Sequence, residues 1–166
     1  MGDEGLIQSF VQSLLPESAY QRFFVGLREL SPQGLTRLTR GATDYAVLVA
    51  VASGVHRSQR VVGLAEVAIT SAQSTCEVAV VVSDDCRRQG IATRLLEALS
   101  CIAAARGCRR AAGDVLRGNA AAFALATRFG CNTTSVAGAP HIARVTKSLV
   151  DGASPACAGS TRCEPL

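Results

Sequence analysis

Tryptophan is absent, and lysine and methionine occur once each in 166 residues. Aromatic residues make up 4% and the net charge is only +4, so the basic surface interleaved with aromatics that grips nucleic acid is missing. Long apolar runs are missing too. The longest, such as Tyr45–Ala52 and Val78–Val82, fall far short of the ~20 residues a membrane-spanning helix needs. The chain opens on Asp3 and Glu4 rather than on a basic region followed by an apolar stretch, so no secretory signal is read and a cytoplasmic location is expected. Seven cysteines are an odd number, and their closest spacings, Cys101 to Cys108 and Cys157 to Cys163, lack the tight pairs of zinc sites. Free, mostly buried thiols and no metal are the expectation.

What is present points to a folded chain. At 48% hydrophobic and 18% charged, the sequence can bury enough apolar surface to offset chain entropy. One domain of this length removes roughly 70% of the unfolded chain's surface from water. Basic residues other than Lys147 are arginines, whose planar fork suits phosphates, so a small phosphorylated ligand is expected.

Leu6, Ile7, Phe10, Val11 and Leu14 recur at helical spacing until Pro16 stops the pattern. Ser18–Leu27 and Ser31–Leu38 read as two further helices, the second with Ser31 as N-cap and Pro32 at its first position. Valine-rich Tyr45–Ala52, Arg60–Thr70 and Cys76–Val82 read as strands of an antiparallel meander, because their connections are too short for helical crossovers. Gly90–Arg106 has a helical stripe of Ile91, Leu95, Leu99 and Ile102, followed by a strand at Arg109–Val115. Asn119–Phe129 is another helix, and Cys131–Ala137 and Ile142–Val150 are the last strands. His56 and His141 fall in turns. The domain is expected to span residues 1–150, with 151–166 a disordered tail lacking periodicity.

The passage from Val80 through Asp84, Arg87, Gly90 and Ala92 leads from a strand through a polar turn into a helix. Free N–H groups at a helix start carry partial positive charge, and glycine lets an anion approach the backbone, so the segment suits a pyrophosphate, with an ordinary strand-to-helix turn and a solvated arginine pair as its equal alternative. The competing dinucleotide-binding fingerprint, Gly-x-Gly-x-x-Gly, is absent. The pattern Arg/Gln-x-x-Gly-x-Gly/Ala, met by Arg87, Gly90 and Ala92, resembles the acyl-CoA-binding motif of the GNAT N-acetyltransferase superfamily. Val115–Cys131, which contains Asn119, is similar to that superfamily's later strand–helix segment. Glu77–Asp85, Pro16–Phe24 and Arg28–Pro32 resemble the GNAT domain of bacterial Pat-type protein-lysine acetyltransferases. Together these cover about residues 3 to 150.

The resemblance implies an α/β fold with a mixed, mostly antiparallel sheet, flanked by helices and splayed between its fourth and fifth strands, with acetyl-CoA in the opening. Val80 and Val82 would offer backbone groups to the pantetheine arm. Arg87, Arg88, Gln89, Gly90, Ile91 and Ala92 would form the pyrophosphate cradle, and Asn119 would make a polar contact. Arg94 is a further phosphate candidate, with a solvated helix face as its equal alternative. The implied activity is acetyl transfer to a primary amine, foremost a protein lysine, with a small-molecule amine as the near alternative.

Such transfer requires a neutral amine, hence a proton acceptor. Glu77, ten residues before Arg87 in an apolar strand, is the candidate base. Sharing a face with Ala79 and Val81, it is expected to be desolvated, which would raise its pKa, with a strand-end glutamate in water as the alternative. Glu66 is the reserve. The Val80 N–H would steady the oxyanion.

Two features depart from the family. Its tyrosine acid is matched here by Ala126, for which Cys86, Tyr45 and Cys131 are conceivable stand-ins. The family's first strand, which would precede the first helix, has no counterpart, so an exposed edge and a homodimer are expected. Regulation by the partner domain that Pat-type enzymes often carry is not expected at this length. A catalytically silent acyl-CoA-binding or partner-binding module is the alternative to the enzyme. Acceptor identity and acyl-chain preference carry no signature in the sequence.

Overall fold

The computed structural model describes residues 3–40, 42–53, 59–70 and 74–150; His56 and the expected tail lie outside them. Three helices come first: α1 (Asp3–Ser13), α2 (Pro16–Phe23) and α3 (Pro32–Thr39). Ile7, Phe10 and Val11 form the buried stripe of α1 at the i, i+3, i+4 spacing of one helix face. Prolines open α2 and α3, where a missing N–H costs nothing, and the Ser31 hydroxyl accepts the Gly34 N–H at 3.2 Å as the expected cap.

The meander is β1 (Tyr45–Ser53), β2 (Gln59–Thr70) and β3 (Thr75–Val82). A 3-10 turn, Asp84–Cys86, then leads to α4 (Ile91–Ala105), β4 (Arg110–Leu116), α5 (Ala120–Arg128), β5 (Asn132–Ser135) and β6 (Ile142–Ser148). β5 is shorter than its expected range, and its Asn-Thr-Thr-Ser segment is exposed throughout. The six strands form one open sheet in the order β1-β2-β3-β4-β6-β5, antiparallel except at β3–β4. The expected fold class is therefore present.

Alternation along β2 builds a core on each face of the sheet. Leu64 and Ala68 pack with Ile7, Phe10 and Val11 of α1, whereas Ala65, Val67 and Ile69 pack with Leu95, Leu99 and Ala103 of α4. Full burial of side chains such as Leu64 and Leu99 stabilises by roughly 1.5–3 kcal/mol each.

The sheet does not stay closed. β3 and β4 pair at only three positions: Thr75 with Arg110, Cys76 with Ala111 and Glu77 with Ala112. Beyond them β3 follows β2 as far as Val82 opposite Gly63, while β4 follows β6 as far as Leu116 opposite Ile142. The strands last approach each other at Gly113, where a Cβ would lie 2.8 Å from the Val78 carbonyl oxygen; a side chain here would force them apart. This is the opening expected between the family's fourth and fifth strands, and it falls between the third and fourth strands of this chain.

Cys76 and Cys108 are buried next to each other at the closed end of the sheet, and burial foremost pushes the Cys76 thiol up to about 12. A thiol reagent at neutral pH should label Cys86 in the native protein and reach Cys76 only on unfolding. Mass spectrometry of a labelling time course checks this, and early modification of Cys76 would contradict the described packing. Cys101 departs from the expectation of free thiols, since it is disulfide-bonded.

Candidate active site

The opening holds a cavity of about 520 Å³, walled by α2 and α3 on one face of the sheet and by α4 and α5 on the other. Which backbone groups face it follows from one hydrogen bond. The Ser83 N–H donates to the Val62 carbonyl at 2.9 Å, so Val81, Ala79 and Glu77, at two-residue steps, also turn their main-chain groups toward β2. Val78, Val80 and Val82 therefore present theirs toward β4. The β3–β4 ladder ends at Glu77, so Val80 and Val82 lie beyond it, and Val80 lines the cavity.

Downstream, Arg88 (φ 61°) and Gly90 (φ 79°) both adopt left-handed backbone, and Gly90 is the N-cap of α4. The first helical bond of α4 runs from the Arg94 N–H to the Gly90 carbonyl, so the N–H groups of Ile91, Ala92 and Thr93 precede it. A Cβ at Gly90 would meet no atom within 4 Å, so the space before this helix start is open. Arg88, Gln89 and Arg94 are exposed, Ala92 is half-buried, and the Ile91 side chain packs into the α4 core, leaving only its backbone for a ligand.

The Arg87 guanidinium, 41% exposed, pairs with Asp84, one turn earlier at 2.8 Å, and donates to the Ser18 hydroxyl at 2.7 Å. Asp84 also accepts the Leu15 N–H at 3.0 Å and the Ser18 hydroxyl at 2.6 Å, which joins the turn to the start of α2. Arg87 thereby ties the loop to α2, and Arg88 is the exposed guanidinium beside Gly90.

Glu77 lies on the sheet face that also carries Glu66, at the end where β3 still pairs with β4. The expected desolvation is not found: its side chain is 48% exposed and ion-paired with Arg144. The physical reason is register. Arg144 of β6 stands opposite Asp114 of β4, pairs with it at 2.9 Å, and reaches on across β4 to Glu77. Glu66 is more enclosed, 15% exposed, with Arg22 on Oε1 and the Tyr45 hydroxyl on Oε2. Burial foremost, then the Glu66 carboxylate, raise the Tyr45 pKa, so this phenol keeps its proton. Arg37 lies over the Tyr45 ring, 4.9 Å from its centroid, and 4.0 Å from Glu66.

On the α5 wall Asn119 lines the cavity, but its carboxamide oxygen accepts the Ala122 N–H at 3.0 Å as the cap of α5, which leaves the amide nitrogen for a ligand. Ala126 is buried and offers no side-chain polar atom. Near it are Cys131, whose thiol is pushed up by burial against an opposing pull from Lys147, and Lys147 itself, which donates to the Phe129 carbonyl at 2.6 Å. Nothing local in the sequence marks Arg22, Arg37, Asp114 or Arg144, which come together only through helix docking and strand register; the one signal for Lys147 is that it is the single lysine.

The model of the Acetyltransferase (GNAT) family matches residues 15–131. The GNAT domain of S. lividans Pat has a similar structure, with a TM-score of 0.78 and 24% identity over 88% of this chain and 85% of that one. Two further neighbours are the PaiA N-acetyltransferase of Thermoplasma acidophilum and YncA of Salmonella typhimurium. The first was solved in complex with coenzyme A and has a TM-score of 0.55 and 19% identity, covering 63% of this chain and 61% of that one. YncA, solved with its cofactor acetyl-CoA, has a TM-score of 0.54 and 22% identity, covering 68% and 69%.

Proposed function

Because the chain belongs to the Acetyltransferase (GNAT) family, we propose that it transfers an acetyl group from acetyl-CoA to a primary amine, foremost a protein lysine, with Glu77 as general base. The observation that carries this reading is the end of the β3–β4 ladder at Glu77, which sets a carboxylate and the main-chain groups of Val80 around one cavity.

When bound, acetyl-CoA supplies the activated acyl group, and the chain's own parts do the rest. The α4 start from Arg88 through Gln89, Gly90, Ile91 and Ala92 receives the pyrophosphate on backbone N–H groups, with Arg87 fixing the loop. Val80 and Val82 pair with the pantetheine amides as a missing strand would, and Asn119 donates from its amide. Glu77 takes the proton from the incoming ammonium, and the Val80 N–H faces the negative charge that develops on the acyl oxygen. Arg144 holds Glu77 in place, and half-exposure lets the proton pass to water.

Thiol-release kinetics with acetyl-CoA, against a lysate-derived protein pool and a panel of small amines, test the reading. Acceptor-dependent release supports it, and acetyl-CoA binding without release from any acceptor would favour the second reading, a silent acyl-CoA-binding module. Ala126 is the observation on that side, since it cannot protonate a departing thiolate. A thiolate is a weak base that water can protonate, so the enzyme reading stands ahead.

Two further expectations attach to this reading. Phosphates met by Arg88 and a helix start are attracted through partly screened charge, so acetyl-CoA affinity should fall as salt rises; calorimetry at low and high ionic strength checks this, and an unchanged affinity would make Arg88 dispensable. β1 is an edge of the sheet with Val51 46% exposed on it, which favours a homodimer. Light scattering that reports a monomer at high micromolar concentration would overturn it.

A further inference from the structure

The face of the cavity away from α4 and α5 carries charge of two signs in two separate places. At one, Arg22 and Arg37 stand against the single carboxylate of Glu66, leaving one positive charge unmatched. At the other, Glu77 and Asp114 stand against the single guanidinium of Arg144, leaving one negative charge unmatched. Five of these six residues line the cavity, and Arg144 pairs with two of them. The two places are close: Glu66 is opposite Ala79 in the β2–β3 ladder, which makes Glu77 its diagonal neighbour on one face, about 7–8 Å away.

The positive place also contains an unmet donor. Arg22 is only 10% exposed, its Nη2 is taken by Glu66, and its buried Nε has no partner among the described residues. A buried donor without an acceptor costs roughly 1–3 kcal/mol, a cost that an arriving acceptor atom removes. Arg22 and Arg37 both line the cavity, a guanidinium fork matches a planar carboxylate, and a single unmatched positive charge suits a monoanion better than a phosphate dianion.

We propose that the acceptor is a primary amine carrying a carboxylate a few bonds away, bound with its ammonium toward Glu77 and Asp114 and its carboxylate toward Arg22 and Arg37. This rests on the acetyltransferase reading and names its substrate class. The carboxylate has two sources with one chemistry: the free carboxyl group of a small amino acid, or an acidic residue beside a lysine in a peptide. Arg22 and Arg37 are then specificity residues that act on acceptor affinity rather than on the proton transfer.

The test is calorimetric binding of matched acceptors to the full chain saturated with coenzyme A, alongside thiol release with acetyl-CoA. One pair is Nα-acetyl-lysine and its carboxamide; the other is a lysine peptide flanked by glutamate and the same peptide flanked by glutamine. In at least one pair the carboxylate member should bind tenfold or more tightly, and the pair that responds identifies the source. Arg37→Gln, on an exposed position of α3, should bring that ratio close to one, and Arg22→Lys, which keeps the charge but removes Nε, should reduce it; Glu77→Gln should leave it in place. Equal affinities within both pairs, or a ratio that survives Arg37→Gln, would overturn the proposal. Discrimination in binding without turnover on any acceptor would overturn the acetyltransferase reading while leaving the charged site intact.

Discussion

Glu77→Gln is expected to lower turnover by ~10²- to 10⁴-fold while acetyl-CoA affinity stays within a few fold. Glutamine keeps the shape and still offers Arg144 an acceptor oxygen, but it cannot take a proton at neutral pH. The fold should survive, because an ion pair this exposed contributes no more than about 1 kcal/mol and Arg144 retains Asp114. Wild-type rates should rise with pH as more of the acceptor amine is neutral, and the variant should alter that rise. Stopped-assay kinetics over a pH series provide both readouts. A variant with the wild-type rate and profile would move the base to Glu66, where substitution is harder to interpret: it leaves the Arg22 guanidinium buried without its carboxylate, a loss on the order of 3–5 kcal/mol. Melting curves should accompany any Glu66→Gln result.

Gly90→Val should reduce acetyl-CoA affinity tenfold or more, which corresponds to about 1.4 kcal/mol. Two effects act together. At φ 79° the backbone occupies the left-handed region that a β-branched residue resists, so the cap of α4 would rearrange and misdirect the N–H groups of Ile91 and Ala92. The added side chain would also project into the open space before the helix start, where the phosphates are expected. Calorimetry on a variant with an unchanged far-ultraviolet spectrum checks this; undiminished affinity would remove the cradle from the account.

Much of the frame was legible because it is local. The helical spacing of Ile7, Phe10 and Val11, the Ser31-Pro32 start of α3, the valine-rich meander and the glycine before Ile91 each announce one element through short-range physics. The strand, turn and helix start proposed as the cradle were legible for the same reason, being one uninterrupted stretch of chain. The carboxylates were legible as residues and not as environments. Glu77 reads as an apolar-strand residue, yet Arg144, 67 positions away, arrives beside it because β4 and β6 pair Asp114 with Arg144. Arg87 reads as a phosphate ligand by its motif, but its contacts with Asp84 and Ser18, brought together by the docking of α2, were not legible. Arg22, Arg37 and Tyr45 belong to three different elements, and nothing local in the sequence says that they surround Glu66.

The central claim is that this cavity carries an acetyl group from a thioester to an amine. The most direct measurement incubates wild-type protein with isotopically labelled acetyl-CoA and a mixed pool of acceptor proteins and amines, with Glu77→Gln in parallel, and locates the label by mass spectrometry. The account predicts label on amine nitrogens in the wild-type sample and its near loss in the variant. Acetyl-CoA bound by the protein, with no label on any amine, would contradict it.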